Sequence, residues 1–262
     1  MKKVIIFSLL LAVAGFSSAL FAQISGSSSA KNIMSKGART SKAKLTARIT
    51  LDGNYQTGNT EKANIASTGH IAAIDSMKEF SANARFVYGE FNKTANQKEY
   101  IAGVQYDYRP LSDFSPFVRV EFYNNQYRQI HGRYSGLIGA KYRYFVKPEK
   151  LDYSISAALL YDLDNFTADA ELPNKERLRI SVRPKFKHDF TPNIRLVTEI
   201  YYKPNLANFD DYMIYWNSNI NVRISKHVLL RVSYEHEYNS MPATNRVKKT
   251  DALLLAGLGV EF

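Results

Sequence analysis

The densest run of ionisable side chains in the sequence is Arg177, Arg179, Arg183, Lys185 and Lys187, with Leu178, Ile180, Val182 and Phe186 falling between them. A period of two puts those five bases on one face of a strand, where they form a basic ladder. Such a wall raises the local concentration of anions. A second group is His236, flanked by Glu235 and Glu237, with Ser240 four residues on. Hydrolysis by a Ser–His pair needs the imidazole within hydrogen-bond reach of the hydroxyl. Along a strand those two side chains stand roughly 13 Å apart, so the spacing fits that chemistry only if the chain folds back. His70, His131, His188 and His227 are dispersed without ligand spacing, and cysteine is absent. The sequence therefore offers no thiolate chemistry or transition-metal site and implies no cofactor.

A ladder needs a sheet to carry it, and alternation runs through the chain. Leu45, Ala47, Ile49, Leu51, Gly53 and Tyr55 alternate with Thr46, Arg48, Thr50, Asp52 and Asn54. The same pattern places strands at Phe80–Tyr88, Tyr100–Tyr108, Leu151–Tyr161, Leu178–Phe186 and Ala252–Phe262. Weaker versions lie at about 61–74, 116–124, 134–146, 194–203, 212–224 and 228–238, which makes twelve. Tight turns are expected after even-numbered strands, as at Asp75–Lys78, Pro110–Asp113, Lys147–Lys150, Asp189–Asn193 and Ser225–His227. Longer loops are expected at Asn92–Gln97, Asn124–Gly132, Asp164–Asn174, Pro204–Asp210 and Asn239–Lys248, with the hairpin Thr57–Thr60 a short exception.

Aromatic residues sort to strand ends. Tyr55, Tyr88, Tyr100, Tyr161, Tyr202, Tyr212, Trp216, Tyr234 and Tyr238 fall at one level, and Tyr106, Tyr108, Phe114, Tyr142, Tyr144, Tyr153, Phe186 and Phe262 at another. Two aromatic girdles around an apolar band, with an even strand count, predict an all-β fold: a transmembrane antiparallel β-barrel of about twelve strands, outer-membrane type. A closed sheet is what the bilayer demands of strands, because no backbone group can be left unpaired in lipid.

The N-terminus agrees. Lys2 and Lys3 precede an apolar run from Val4 to Phe16, followed by Ser17, Ser18 and Ala19 and then Leu20-Phe21-Ala22. This is the pattern of a secretory signal over residues 1–22. Residues 23–43, rich in Ser, Lys and Gly, read as a flexible periplasmic leader, and the barrel occupies 44–262. No internal apolar run reaches the roughly 18 residues of a spanning helix. The net charge of +11 would ordinarily suggest nucleic acid, but an exported chain does not meet the chromosome. Localisation is thus expected in the outer membrane of a Gram-negative-type bacterium, with lipid as the surrounding partner.

The stretch Leu51-Asp52-Gly53-Asn54-Tyr55-Gln56-Thr57-Gly58-Asn59-Thr60 resembles the opening hairpin of the YdiY-type salt-induced outer membrane protein family. Arg133, Gly136, Gly139 and Tyr142-Arg143-Tyr144-Phe145 are similar as well, as is the close Leu255-Ala256-Gly257-Leu258-Gly259-Val260-Glu261-Phe262. The resemblance implies an outer-membrane location and a link to salt stress, and no established catalytic set. A terminal Phe262 after an alternating strand also matches what the barrel insertion machinery takes as substrate.

With apolar rows toward lipid, the polar rows face the lumen. They carry the ladder of Arg177, Arg179, Arg183, Lys185 and Lys187, and the bases Arg48, Arg85, Arg119, Lys141, Arg143, Arg195, Arg223 and Arg231. Asp52, Asp107, Glu121, Asp152, Asp162, Glu199, Glu235 and Glu237 face them. The expected function is non-enzymatic: a narrow, anion-leaning pore for small anionic solutes, or an envelope component of salt or osmotic response. Two alternatives stay open. One is a lipid hydrolase at the rim; the other is a structural barrel, its interior plugged by ion pairs, whose loops bind an envelope partner.

Overall fold

The computed structural model describes residues 44–56, 62–147, 150–168, 172–242 and 248–261. The expected signal and leader (1–43), the expected hairpin at Thr57–Thr60 and Phe262 lie outside them. The described residues form twelve antiparallel strands: β1 (Lys44–Gln56), β2 (Lys62–Ile74), β3 (Lys78–Phe91), β4 (Thr94–Tyr108), β5 (Phe114–Asn125), β6 (Ile130–Lys147), β7 (Leu151–Phe166), β8 (Lys175–Thr191), β9 (Ile194–Asn205), β10 (Asn208–Arg223), β11 (Val228–Asn239) and β12 (Thr250–Glu261). Each pairs with its neighbours in sequence, and β1 pairs with β12 to close the barrel. The sheet has no free edge strand, as backbone satisfaction in lipid requires.

Period-two patterning decides which face goes where. On β1 the inward residues Thr46, Arg48, Thr50 and Asp52 are buried, while Leu45, Ile49 and Leu51 are exposed; Arg48 is 7% accessible and Ile49 59%. That inverts the rule of a water-soluble protein, in which the apolar row is covered. The same inversion holds on β4, where Tyr100, Val104 and Tyr106 point outward and Glu99, Gln105 and Asp107 inward. Both expected aromatic levels form contacts on the outer surface. Tyr212 packs against Tyr202 and Tyr238 with ring centroids 5.8 and 5.7 Å apart, and Trp216 against Tyr234 at 5.2 Å. Toward the other end, Tyr153 lies between Tyr144 (6.0 Å) and Phe186 (4.7 Å).

Loop lengths differ from the expectation. The connection after β3 is only Asn92-Lys93, both at positive φ (47° and 62°), which is the backbone of a primed two-residue hairpin turn. After β9 it is Leu206-Ala207. The stretches read as loops at Asn92–Gln97 and Pro204–Asp210 are largely strand. Strands reach 18 residues in β6 and 17 in β8, beyond the roughly 9–11 needed to cross a bilayer. The sheet therefore continues past the apolar band at the far end, away from the turns that follow the even-numbered strands.

Two glycines mark close approaches between neighbouring strands. A Cβ at Gly139 on β6 would sit 2.3 Å from the Ala157 carbonyl oxygen, and one at Gly257 on β12 would sit 2.2 Å from that of Leu51. Directly opposed Cβ atoms on paired strands normally stand about 4.5–5.5 Å apart. The inner faces of β6 and β7, and of β12 and β1, are pressed together at these points. The two seams lie on opposite sides of the ring.

Candidate functional site

All five ladder residues project from the inner row of β8, as their spacing predicts, and three of them meet carboxylates. Arg177 contacts Asp164 on β7 and, through Nε at 3.2 Å, Asp211 on β10. Arg179 donates from Nη2 to Asp211 at 2.8 Å and lies 3.7 Å from Asp162. Arg183 donates to the Tyr201 hydroxyl (3.0 Å) and to Ser156 (3.1 Å), and stands 3.8 Å from Glu199. Tyr201 is covered by two cations, Arg183 and Lys203, at 5.3 and 5.4 Å from its ring centroid. Lys185 and Lys187 continue the row toward the turn end, where Lys185 is in register with Glu199 on β9.

The other expected lumen bases divide the same way. Arg85 donates from Nη1 to Glu235 at 2.7 Å, joining β3 to β11 across the interior. Arg231, 1% accessible, lies 3.8 Å from Asp52 and bonds Ser233 (2.6 Å) and Asn219 (3.1 Å). Arg119 holds Glu121 at 2.6 Å and reaches Asn83 at 3.2 Å. Beside it, a Cβ at Gly103 would stand 2.8 Å from the Arg119 guanidinium, so that glycine gives the side chain its room. Arg48 is buried on β1. At the turn end contacts lengthen: Lys141 to Asp107 and Arg143 to Asp152 are both 3.9 Å, with Asp152 partly open to solvent. Arg195 pairs with Asp189 there, and Arg223 bends to the Lys226 carbonyl at the rim.

Apolar residues also meet across the interior. Ala66 and Val87 from one wall pack with Tyr215, Leu253 and Leu255 from the other, and Tyr201 packs against the group. Ion pairs and this cluster together narrow the lumen at the level of Arg85 and Glu235.

Several interior groups fall outside the sequence-derived set. Glu99 on β4 is fully buried, accepting from Asn125 (3.1 Å) and Tyr123 (3.4 Å). Arg133 pairs with Asp164. Arg128, on a single 3₁₀ turn (Gln126–Arg128) between β5 and β6, reaches Glu237 on β11 at 2.6 Å and pairs with Asp251 on β12. Glu99 and Asp251 were within reach of the periodicity, which continues one inward position beyond Tyr100 and Ala252. Arg128 carried no periodic signal.

Ser240 does not face a catalytic partner. Its hydroxyl donates to the Asp210 carbonyl (2.6 Å) and accepts from the Tyr212 N–H (2.8 Å), tying the end of β11 to β10. His236 sits on the outward row of β11, in register with Trp216. Among the described residues, no group of three or more His, Asp or Glu is arranged to hold a metal ion.

A family model described as "Protein of unknown function, DUF481" matches residues 49–262. No curated protein sequence matches the chain. Among solved structures, an outer membrane channel from Pseudomonas putida F1 superposes with a TM-score of 0.50 at 8% identity, covering 83% of this chain and 94% of that one. The translocator domain of the autotransporter NalP from Neisseria meningitidis gives 0.47 at 13% identity, covering 87% and 90%. The NanC porin gives 0.48 at 10% identity, covering 84% and 99%. At such identities the likeness is one of fold.

Proposed function

This chain belongs to the DUF481 family of proteins of unknown function, and we propose that it is a narrow, anion-leaning pore of the Gram-negative outer membrane that takes part in salt or osmotic response. The observation that carries the pore reading is the turn end of the lumen. There Lys185 and Lys187 extend the β8 row, and Lys141 and Arg143 stand 3.9 Å from their acids. Four bases gathered on one stretch of wall concentrate field for an anion passing between low-dielectric walls. The outward apolar rows and aromatic levels support the membrane setting. The salt link rests on the resemblance of the opening hairpin and the last strand to the salt-induced family.

Single-channel recording of the refolded barrel in planar bilayers under a salt gradient tests the reading. The parent is expected to conduct with an anion-selective reversal potential, and Lys185→Gln/Lys187→Gln to move that potential toward the cation side. Unchanged selectivity in this variant would refute the ladder's role. A second reading, a sealed structural barrel whose loops bind an envelope partner, draws support from the tightly paired far half. An absence of conductance would favour it.

A further inference from the structure

We propose that the 3₁₀ turn Gln126–Arg128 is a latch over the far mouth of the lumen, with Arg128 as its bolt. The inference gives the proposed pore its gate, and rests on that reading for its physiological meaning only.

The turn is built to aim one side chain. Asn125 caps it, its Oδ1 accepting the Arg128 N–H at 3.0 Å. Gln129, in the left-handed region at φ 59°, closes it with an N–H to the Gln126 carbonyl at 3.0 Å. The Tyr127 hydroxyl donates to the Ala95 carbonyl on β4 at 2.7 Å, and the Asn124 amide to that of His131 at 2.6 Å. With its base held on these sides, the turn sends Arg128 inward to Glu237 and Asp251. In the ring of twelve, β5 and β11 are diametrically opposed. Arg128 thus ties one wall to the other, and it is buried while doing so. A guanidinium fork that meets two carboxylates fixes direction as well as distance.

The strand pairing is interrupted on both sides of this turn. The β5–β6 register shifts between Tyr123 and Asn125, and the β6–β7 register between Ile130 and Gly132. Bulges re-aim the chain and end regular pairing. The turn's base stays fixed, since Asn125 pairs with Glu99 on β4, Ile130 with Phe166 on β7, and the Thr167 N–H bonds the Gln129 carbonyl at 2.9 Å, so the moving part of the latch is the Arg128 side chain swinging off its two acids. Release would leave Glu99, Glu237 and Asp251 at the mouth without Arg128. Those three carboxylates would then face the passage directly, beside the arginines that remain paired on β6 and β8.

The chain has no cysteine, so a single reporter can be introduced. Leu253, one inward position below Asp251 on β12, is a suitable site as Leu253→Cys in the full chain reconstituted in lipid vesicles. Labelling by a membrane-impermeant methanethiosulfonate is expected to run at least tenfold faster when Arg128→Ala is added. Glu237→Gln/Asp251→Asn should give the same acceleration, and keeps the test valid if Arg128→Ala fails to fold. Arg128→Lys should fall between. Unchanged labelling in the folded variants overturns the latch, whatever the conductance. Accelerated labelling without current in Arg128→Ala keeps the latch and overturns the pore. Where current flows, Arg128→Ala should also shift the reversal potential toward cations.

Discussion

The two ends of the lumen hold similar charges in different ways. At the far end the bases are arginines, and Arg128, Arg133, Arg177 and Arg179 share Asp164, Asp211, Glu237 and Asp251 in short contacts that are almost wholly buried. At the turn end lysines enter, and Lys141–Asp107 and Arg143–Asp152 stand at 3.9 Å, although Arg195 and Asp189 remain in close contact. The difference follows from the side chains. A guanidinium has a rigid planar fork that can serve two carboxylates at once, whereas an ammonium is a compact, hydrated point charge. One end uses charge to fix walls together, and the other is where the proposed pore would meet its solute.

The strongest way to break the contrast is to leave one buried charge alone. Arg85→Met should destabilise the barrel by about 3–5 kcal/mol in denaturant unfolding, because Glu235 would remain buried and unpaired. Adding Glu235→Leu should return most of that loss, and a double variant no better than the single would show that the pair is not the relevant unit. Next in size is Arg179→Lys, which keeps the charge and loses the fork across Asp211 and the Lys203 carbonyl. It should cost about 1–3 kcal/mol. Lys187→Gln, by contrast, should stay within about 0.5 kcal/mol of the parent while moving the reversal potential. A stability loss matching that of Arg179→Lys would erase the distinction between the ends.

The smallest effect concerns the turn before β3. Asp75 accepts backbone N–H bonds from Met77 (2.7 Å) and Lys78 (2.8 Å), and these hold its carboxyl below the ordinary carboxylate range. A depressed folded-state value stabilises the turn fully above the unfolded value, near 3.9, and the contribution fades as pH falls through the lowered one. Hydrogen exchange at the Met77 and Lys78 amides should therefore lose protection below about pH 4, and Asp75→Asn should weaken that pH dependence.

How much of this was legible depends on which physical signal each part left in the sequence. All twelve strands were visible, because lipid on one side and a polar interior on the other enforce strict alternation. The signal fades where a strand leaves the apolar band and both faces turn polar. That is why Thr94–Gln97 and Asn208–Asp210 read as loop, and why Glu99 and Asp251 were left out of the interior. The ladder on β8 was legible as a row, with Asp162 and Glu199 among the acids facing it, but its closer partners Asp164 and Asp211 were not. Asp211 sits two strands away, and no local pattern ties it to Arg177. Arg128 was the least accessible of all, since its role depends on a turn whose direction is set by Asn125 and by bulges in two different strand pairs.

Gly139 and Gly257 carry a geometric consequence. Twelve strands at fixed spacing give the tube a nearly constant perimeter, and a tube creased at two opposite seams encloses less area than a round one of the same girth. A side chain at either seam would push the two strands apart and round the tube there, so Gly139→Ala and Gly257→Ala should act on the bore as well as on stability. Side-chain contacts spanning the interior, such as Arg85 to Glu235 and Val87 to Tyr215, would have to part with it.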